Sequence, residues 1–207
     1  MFASIFFDTL FQNIIQTSWI EFVAVVFGLI SVWYCRKENI LVYPTGIINV
    51  GLYIYIFGVT GLYGNMGING VYLLMSVYGW WKWARKGEDQ EPLRVTRLKT
   101  WSVIVHLIVI AILFFVVKEL LLRLSESQNP VMDAFTTAVF IVAMWLQARK
   151  KLESWILWIV GDLIAIPLTF SSQLVFTSFQ YFIFLLLAAS GLYEWYKSYL
   201  KNKINVL

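Results

Sequence analysis

The stretch VWYCRK, residues 32–37, recurs in outline as MWLQARKK, residues 144–151, and this recurrence decides the fold. In each copy a tryptophan precedes a basic cluster. A further tryptophan follows 50 positions later, which gives the pairs Trp33 with Trp83 and Trp145 with Trp195. We therefore predict two repeats of equal length, separated by a linking segment that belongs to neither.

Composition predicts a membrane protein. Of the 207 residues, 60% are hydrophobic and only 14% are charged, whereas a water-soluble domain needs a more polar surface. The aromatic content of 18%, including ten Trp, exceeds what interfacial belts alone require, so we expect some rings to contact a ligand. A single Cys and a single His exclude an intrachain disulfide and a Cys/His metal cluster, so no metal or cofactor is predicted.

Seven apolar windows have about the 17 to 25 residues that cross a bilayer. They are residues 19–35, 40–57, 65–83, 101–117, 131–147, 154–170 and 174–196. Three spans fall in each repeat, and the fourth turns the chain over so that both triplets point the same way. The predicted fold is thus an all-α membrane protein with seven transmembrane helices in a parallel 3+1+3 arrangement. Its parts are an N-terminal interfacial segment at 1–18, a first three-helix repeat at 19–87, a linking helix with its loops at 88–129, and a second three-helix repeat at 130–203.

The distribution of basic residues predicts the orientation. All 16 Lys and Arg residues except Lys118 and Arg123 fall on one face of this topology. Because basic loops stay in the cytoplasm, the N-terminus is expected outside and the C-terminus in the cytoplasm. The absence of Lys and Arg before Arg36 argues against a cleavable signal peptide. The four repeat tryptophans lie beside basic loops, so we interpret them as interfacial anchors.

Polar side chains inside the spans predict a central cavity. A charged group at a helix centre costs about 2.5 to 3.5 kcal/mol on insertion scales, so it faces a cavity or a partner. In span six, Trp155, Trp158, Asp162 and Thr169 recur at helical spacing and share one face. Further polar residues with this spacing occur in spans two, three and seven: Thr45, Asn49, Tyr53, Asn65, Asn69, Tyr72, Thr177 and Gln180.

Parallel repeats of this kind are related by a pseudo-two-fold axis, with the substrate between the halves. Allowing a shift of one residue, Asn49 and Asp162 hold equivalent positions and would approach this axis. A duplicated bundle without a pore is the alternative. Asn65 and Gln180 can also serve as hydrogen bonds between helices, and the Trp158 indole N–H or a tyrosine can satisfy Asp162 structurally.

The predicted cavity is poor in cations, so a phosphate or carboxylate substrate would find no compensating charge. Aromatic faces attract a positively charged ring, while amides and hydroxyls fix sugar hydroxyls. A nucleoside-like compound is therefore favoured, with a sugar close behind. No nucleic-acid partner is expected.

Four segments resemble the PnuC family of bacterial vitamin transporters. They are WIEFVAVVFGLISVWYCRKENILVYPTGIINVGLY (19–53), GLYGNMGINGVYLLMSVYGWWKW (61–83), LESWILWIVGDLIAIPLTF (152–170) and FQYFIFLLLAASGLYEW (179–195). The resemblance implies a SWEET-like 3+1+3 fold, a homotrimer in the bacterial inner membrane, and uptake of nicotinamide riboside by facilitated diffusion. A separate cytoplasmic kinase would then trap the substrate. Other members of the family prefer riboflavin or thiamine, and the quoted motifs do not distinguish these substrates.

Roles for the cavity residues follow from this resemblance. The substrate ring would stack near Trp158 or Tyr72, and Asn49, Asn69, Thr177 and Gln180 would hydrogen-bond its amide and ribose. Asp162 would stabilise the cation or hold a gate. The gating or lining residues would be Thr45, Tyr53, Asn65, Trp155 and Thr169.

Several other functions are open to a chain with seven predicted spans. A proton-coupled carrier remains an alternative, because a carboxylate in a low-dielectric site can titrate. A retinal photoreceptor needs a lysine in span seven, where none occurs. An intramembrane hydrolase needs a nucleophile with His or paired carboxylates, and the one His lies in the linking span. An anchor or assembly subunit also remains possible.

Overall fold

The computed structural model describes residues 18–85, 93–124, 129–172 and 174–204. Apart from Ser18, the predicted interfacial segment lies outside these residues. The described chain forms seven α-helices, and each overlaps one predicted span. They are α1 (Trp19–Arg36), α2 (Val42–Val59), α3 (Tyr63–Ala84), α4 (Thr100–Leu124), α5 (Pro130–Ala148), α6 (Glu153–Ser171) and α7 (Val175–Ile204).

Six of these helices are long and apolar enough to cross a membrane, the exception being α3. This helix has 22 residues, but Asn65, Asn69 and several glycines lower its hydropathy. It packs between α2 and α5, where its polar side chains face the interior of the bundle. Six of the seven predicted spans are therefore confirmed as helices that are apolar enough to cross a membrane. The seventh, α3, is a more polar helix of the same bundle.

Local sequence explains how the helices begin and end. The Ser18 hydroxyl accepts a hydrogen bond of 3.1 Å from the Glu21 N–H and caps α1. Pro130 opens α5, where its missing N–H costs nothing. After α1 and α5, the chain turns through Glu38 (φ 53°) and Lys150 (φ 49°), which stand 112 positions apart, as Trp33 and Trp145 do. The same uncommon left-handed turn thus follows the first helix of each half.

Six helices form a closed ring. Contacts run from α1 to α2, α2 to α3, α3 to α5, α5 to α6, α6 to α7, and α7 back to α1. The linking helix α4 lies outside the ring and packs mainly on α5 through Ile110, Leu113 and Phe114. We refer to α1–α3 as the first half and α5–α7 as the second half. The two halves meet at two places in the ring, where α3 contacts α5 and where α7 contacts α1.

An aromatic floor of Tyr43, Trp83, Trp155 and Trp195 closes one end of this ring. The Trp83 indole N–H donates to the Ala148 carbonyl at 3.1 Å, and that of Trp195 donates to the Cys35 carbonyl at 3.0 Å, so each bond joins the two halves. The four rings contact one another in the order Tyr43, Trp83, Trp195, Trp155, with centroids 5.2, 6.1 and 5.5 Å apart.

Glycines make room for the floor at matching positions. The Tyr43 ring lies where a Cβ on Gly79 would stand, and the Trp155 ring does the same at Gly191. Both members of the second pair stand 112 positions after those of the first. A side chain at either glycine would displace an aromatic ring of the floor.

The four repeat tryptophans therefore divide into two anchors beside basic residues and two buried residues. Trp33 and Trp145 lie beneath cationic side chains, with the guanidinium carbons of Arg36 and Arg149 at 3.9 and 4.4 Å from the ring centroids, as interfacial anchors do. Trp83 and Trp195 are buried, and Trp195 has no exposed surface. The prediction that they are anchors was wrong, because the closing halves enclose them.

Candidate functional site

The ring surrounds a cavity of about 670 Å³. This volume is within the range of about 300 to 1,000 Å³ that small-molecule sites occupy. Tyr43 and Trp155 of the aromatic floor bound one end of the cavity. The other end extends to Glu21, Leu62 and Leu174, which lie near the beginnings of α1, α3 and α7. The cavity therefore reaches from the floor to the opposite end of the ring.

Ten of the twelve predicted site residues line this one cavity. They are Asn49, Tyr53, Asn65, Asn69, Tyr72, Trp155, Trp158, Asp162, Thr177 and Gln180. Thr45 and Thr169 do not belong to the lining, which corrects their predicted place. Their hydroxyls donate to carbonyls of the preceding helical turn, to Leu41 at 2.6 Å and to Ala165 at 2.7 Å. A threonine in a helix is satisfied in this way without a ligand.

One wall of the cavity is an aromatic stack held by α5, α6 and α7. Phe140 lies against Trp158 (centroids 5.1 Å apart, interplanar angle 28°) and against Tyr181 (6.2 Å, 12°). Gly161 permits this arrangement, because a Cβ there would collide with the Phe140 ring. The Trp158 indole N–H donates to Gln147 Oε1 at 2.7 Å, and not to the carboxylate of Asp162. Gln147 thus fixes the plane of Trp158.

Asp162 lies one turn beyond Trp158 on α6 and is 2% exposed. Its Oδ2 has no hydrogen-bond partner among the described residues, and neither has the buried Trp155 indole nitrogen. Burying an ionised or polar group without a partner is costly. A carboxylate that lines a cavity in this state is suited to a ligand that supplies a hydrogen-bond donor or a positive charge.

The facing wall, in the first half, is built from amides. Asn49 Nδ2 donates to the Ala24 carbonyl at 2.7 Å, and Gly28 leaves just enough space for this amide. Asn69 Nδ2 donates to the Asn65 carbonyl at 3.0 Å. The expected equivalence of Asn49 and Asp162 therefore does not extend to their contacts. The amide of Asn49 ties α2 to α1, whereas Asp162 is unpaired at Oδ2.

Sequence reasoning missed several lining residues, among them Glu21, Gln147, Phe140 and Tyr181. Glu21 stands in the first turn of α1, where the sequence suggests contact with water. Gln147 is the last polar residue before a basic cluster and carries no periodic signal. Tyr181 follows Thr177 by one helical turn, which is the spacing that would have identified it.

The cavity is acidic. Within the described part of the chain, its lining holds two carboxyl groups, those of Glu21 and Asp162, and no Lys, Arg or His. Its remaining polar groups are amides, hydroxyls, phenols and indoles. This set offers hydrogen bonds, aromatic faces and acidic groups, but no cation for a phosphate.

A bundle of seven described helices, six of them apolar enough to cross a membrane, around a solute-sized cavity is typical of a membrane transport protein. A family model described as "Nicotinamide mononucleotide transporter" matches residues 18–197. The chain accordingly belongs to this family, the PnuC family of membrane transporters for vitamins of the nicotinamide riboside type.

Individual relatives agree with this assignment. The chain is 30% identical to the riboflavin/roseoflavin transporter RibM of Streptomyces davaonensis, over 94% of this chain and 89% of RibM. It is 28% identical to the nicotinamide riboside transporter PnuC of Escherichia coli K12, over 87% and 86% of the two chains. The crystal structure of the vitamin B3 transporter PnuC superposes with a TM-score of 0.72 at 27% identity, covering 96% of this chain and 92% of that one.

Proposed function

We propose that this protein imports nicotinamide riboside across the bacterial inner membrane by facilitated diffusion. The observation that carries the proposal is the cavity itself, with an aromatic wall, amide and phenol groups, and two carboxyl groups but no Lys or Arg in its described lining. Nicotinamide riboside combines a flat pyridinium cation with a carboxamide and a ribose. Each part meets a chemical complement in the cavity.

The walls suggest how the substrate is oriented. The pyridinium ring would lie against Trp158 or Tyr72, within reach of the negative charge of Asp162. Asn49, Asn69, Thr177 and Gln180 would bind the carboxamide and the ribose hydroxyls. Tyr53, Asn65 and Trp155 would border the path of the solute. A phosphorylated mononucleotide fits less well, because the described lining supplies no Lys or Arg for its phosphate.

The two halves would work as parallel repeats in a SWEET-like 3+1+3 arrangement, with boundaries at 19–87 and 130–203 and the linking region at 88–129. Three matched features support this: the paired left-handed turns, the paired ring-on-glycine contacts and the reciprocal indole hydrogen bonds. Access would alternate as the floor opens and the far end closes. The N-terminus would lie outside and the C-terminus in the cytoplasm, since the floor lies at the basic end of the ring.

A homotrimer is part of the proposal, as the family resemblance implies. The outer helix α4 presents large exposed apolar residues, including Leu107, Ile112 and Phe115, which suit lipid or subunit contacts. Mass measurement of the detergent-solubilised protein tests this state, and a monomeric mass would refute it.

Uptake into proteoliposomes tests the substrate and the mechanism together. Labelled nicotinamide riboside should enter without an ion gradient and should exchange with unlabelled substrate across the membrane. An absence of counterflow would exclude the proposed carrier. Dependence of uptake on an imposed proton gradient, lost in Asp162→Asn, would instead support proton coupling.

A second substrate is favoured by a specific finding, the 30% identity to the riboflavin/roseoflavin transporter RibM. Riboflavin is a larger, neutral and planar molecule that would use the aromatic wall without needing Asp162. Binding of nicotinamide riboside, its phosphate, riboflavin and thiamine to the purified protein separates these candidates. Tighter binding of riboflavin would replace the proposed substrate.

A further inference from the structure

The segment at residues 93–98, which we call the strap, crosses the floor end of the ring between α3 and α4. Thr96 of the strap pairs with the turn between α5 and α6. Its N–H donates to the Lys150 carbonyl at 3.0 Å, and its carbonyl accepts from the Leu152 N–H at 3.0 Å. These bonds make a parallel bridge between Thr96 and Lys151. The Lys151 ammonium also donates to the Thr96 hydroxyl at 2.8 Å.

Glu153, the first residue of α6, holds the end of the strap. One carboxylate oxygen accepts from the Leu98 N–H at 3.0 Å, and the other accepts from Arg97 Nε at 3.3 Å. Partial burial beside this pairing lowers the pKa of the Lys151 ammonium, although the nearby Glu153 carboxylate opposes that effect. Both ends of the α5–α6 turn are therefore bonded to the strap.

Val95 inserts the strap into the floor. Its side chain is 1% exposed and belongs to the same buried cluster as Cys35, Trp83, Trp155 and Trp195. Tyr43 and Trp155 of the floor line the cavity, whereas Val95 does not. A solute that leaves through this end would have to separate rings that belong to the same buried cluster as Val95.

An ion pair ties the same turn to the first half. Lys150 Nζ lies 2.8 Å from Glu38 Oε2 and 4.5 Å from the centroid of the Trp83 ring, and the lysine is 7% exposed. Glu38 belongs to the α1–α2 turn, which is the counterpart of the α5–α6 turn. The two turns and the strap therefore form one assembly directly behind the floor.

We propose that the strap is a latch on the basic end of the cavity, which holds the floor closed and must detach from the α5–α6 turn before solute can pass. Each link in the latch is a short polar contact or a single apolar side chain. Such a latch can open without unfolding any helix. Its release frees the α5–α6 turn to move away from the strap and allows Trp83 and Trp195 to part.

A disulfide tests the latch directly. Thr96→Cys combined with Lys151→Cys, in a Cys35→Ala background, replaces two bridged residues whose side chains already touch. After oxidation, uptake of nicotinamide riboside into proteoliposomes should fall to the level of protein-free vesicles, and reductant should restore it. The two single-cysteine variants, treated identically, should keep their uptake. Undiminished uptake with the disulfide complete by mass spectrometry would overturn the proposal.

The native Cys35 provides a second test that needs no substrate. It is the only cysteine in the chain and is 1% exposed in the floor cluster. Thr96→Pro removes the N–H that bonds Lys150, and Val95→Ala shortens the inserted side chain, so both should raise the rate of maleimide labelling at Cys35 several-fold. Val103→Ala, at an exposed position on α4, is the matched control and should not.

Labelling rates that stay at the wild-type value in both strap variants would refute the latch, whether or not the disulfide forms. The uptake assay depends on the proposed substrate, whereas the labelling assay does not. A wild-type protein that fails to transport nicotinamide riboside but shows the labelling change would therefore contradict the proposed function alone.

Discussion

Neutralising Asp162 by Asp162→Asn should weaken the binding of a cationic substrate much more than that of a neutral one. The carboxylate is 2% exposed, lines the cavity and is unpaired at Oδ2 among the described residues. Its interaction with a charged ligand is thus not shared with a protein group. A hydrogen bond or contact that involves a charged group contributes about 1.5 to 3 kcal/mol, which corresponds to about a 10- to 150-fold change in Kd.

The same substitution should not destabilise the ligand-free protein. Because the carboxyl group that it replaces is buried and unpaired at Oδ2, Asp162→Asn should leave the thermal midpoint of the ligand-free protein in detergent unchanged or higher. Calorimetric titration with nicotinamide riboside and with neutral riboflavin measures the charge-dependent part of binding. Asp133→Asn makes the same chemical change in α5 outside the cavity lining, and it should preserve both affinities.

Two outcomes would refute this reasoning. An unchanged Kd for nicotinamide riboside would show that the carboxylate does not meet the cation. A large fall in the thermal midpoint would show that Asp162 supports the helix packing, and any loss of affinity would then be structural.

Two further substitutions test the packing around the cavity. Gly161→Ala should destabilise the protein by about 1 to 3 kcal/mol, because its Cβ collides with the Phe140 ring, whereas Gly51→Ala, with open space around its Cβ, should not. Chemical denaturation in detergent measures both, and equal stabilities would contradict the packing described. Trp195→Phe removes the bond to a buried carbonyl and should cost about 1 to 3 kcal/mol, while Trp101→Phe, at a position 72% exposed, should cost little. A Trp195→Phe protein as stable as its control would show that this bond is not needed to close the floor.

The helices and most of the cavity were predictable because both depend on periodic signals. Apolar windows near the bilayer length gave seven segments, and polar residues at helical spacing gave ten lining residues. Asp162 stood out because a carboxylate inside an apolar helix demands a cavity or a partner. Such signals are local, and local sequence determines which way a helical residue faces.

The remainder depended on contacts between distant segments. Trp83 and Trp195 stand beside basic loops as Trp33 and Trp145 do, and only the meeting of the two halves buries them. Gln147 lines the cavity and accepts a hydrogen bond from Trp158 of the next helix, a contact that its own segment does not predict. The strap has no periodic pattern, and its role depends on hydrogen bonds to residues more than 50 positions away. Pairings of this kind have no signature in a single sequence.

The two halves place their large and small side chains at opposite positions of one matched contact. In the first half Gly28 lies beside Asn49, and in the second half Phe140 lies over Gly161. Each of these residues has its counterpart 112 positions away. A strictly symmetric chamber would present identical faces and would hold an elongated molecule equally well in either direction. This exchange makes the two faces of the chamber different in shape and chemistry, so the proposed substrate, with one flat end and one hydroxylated end, would be held in one orientation.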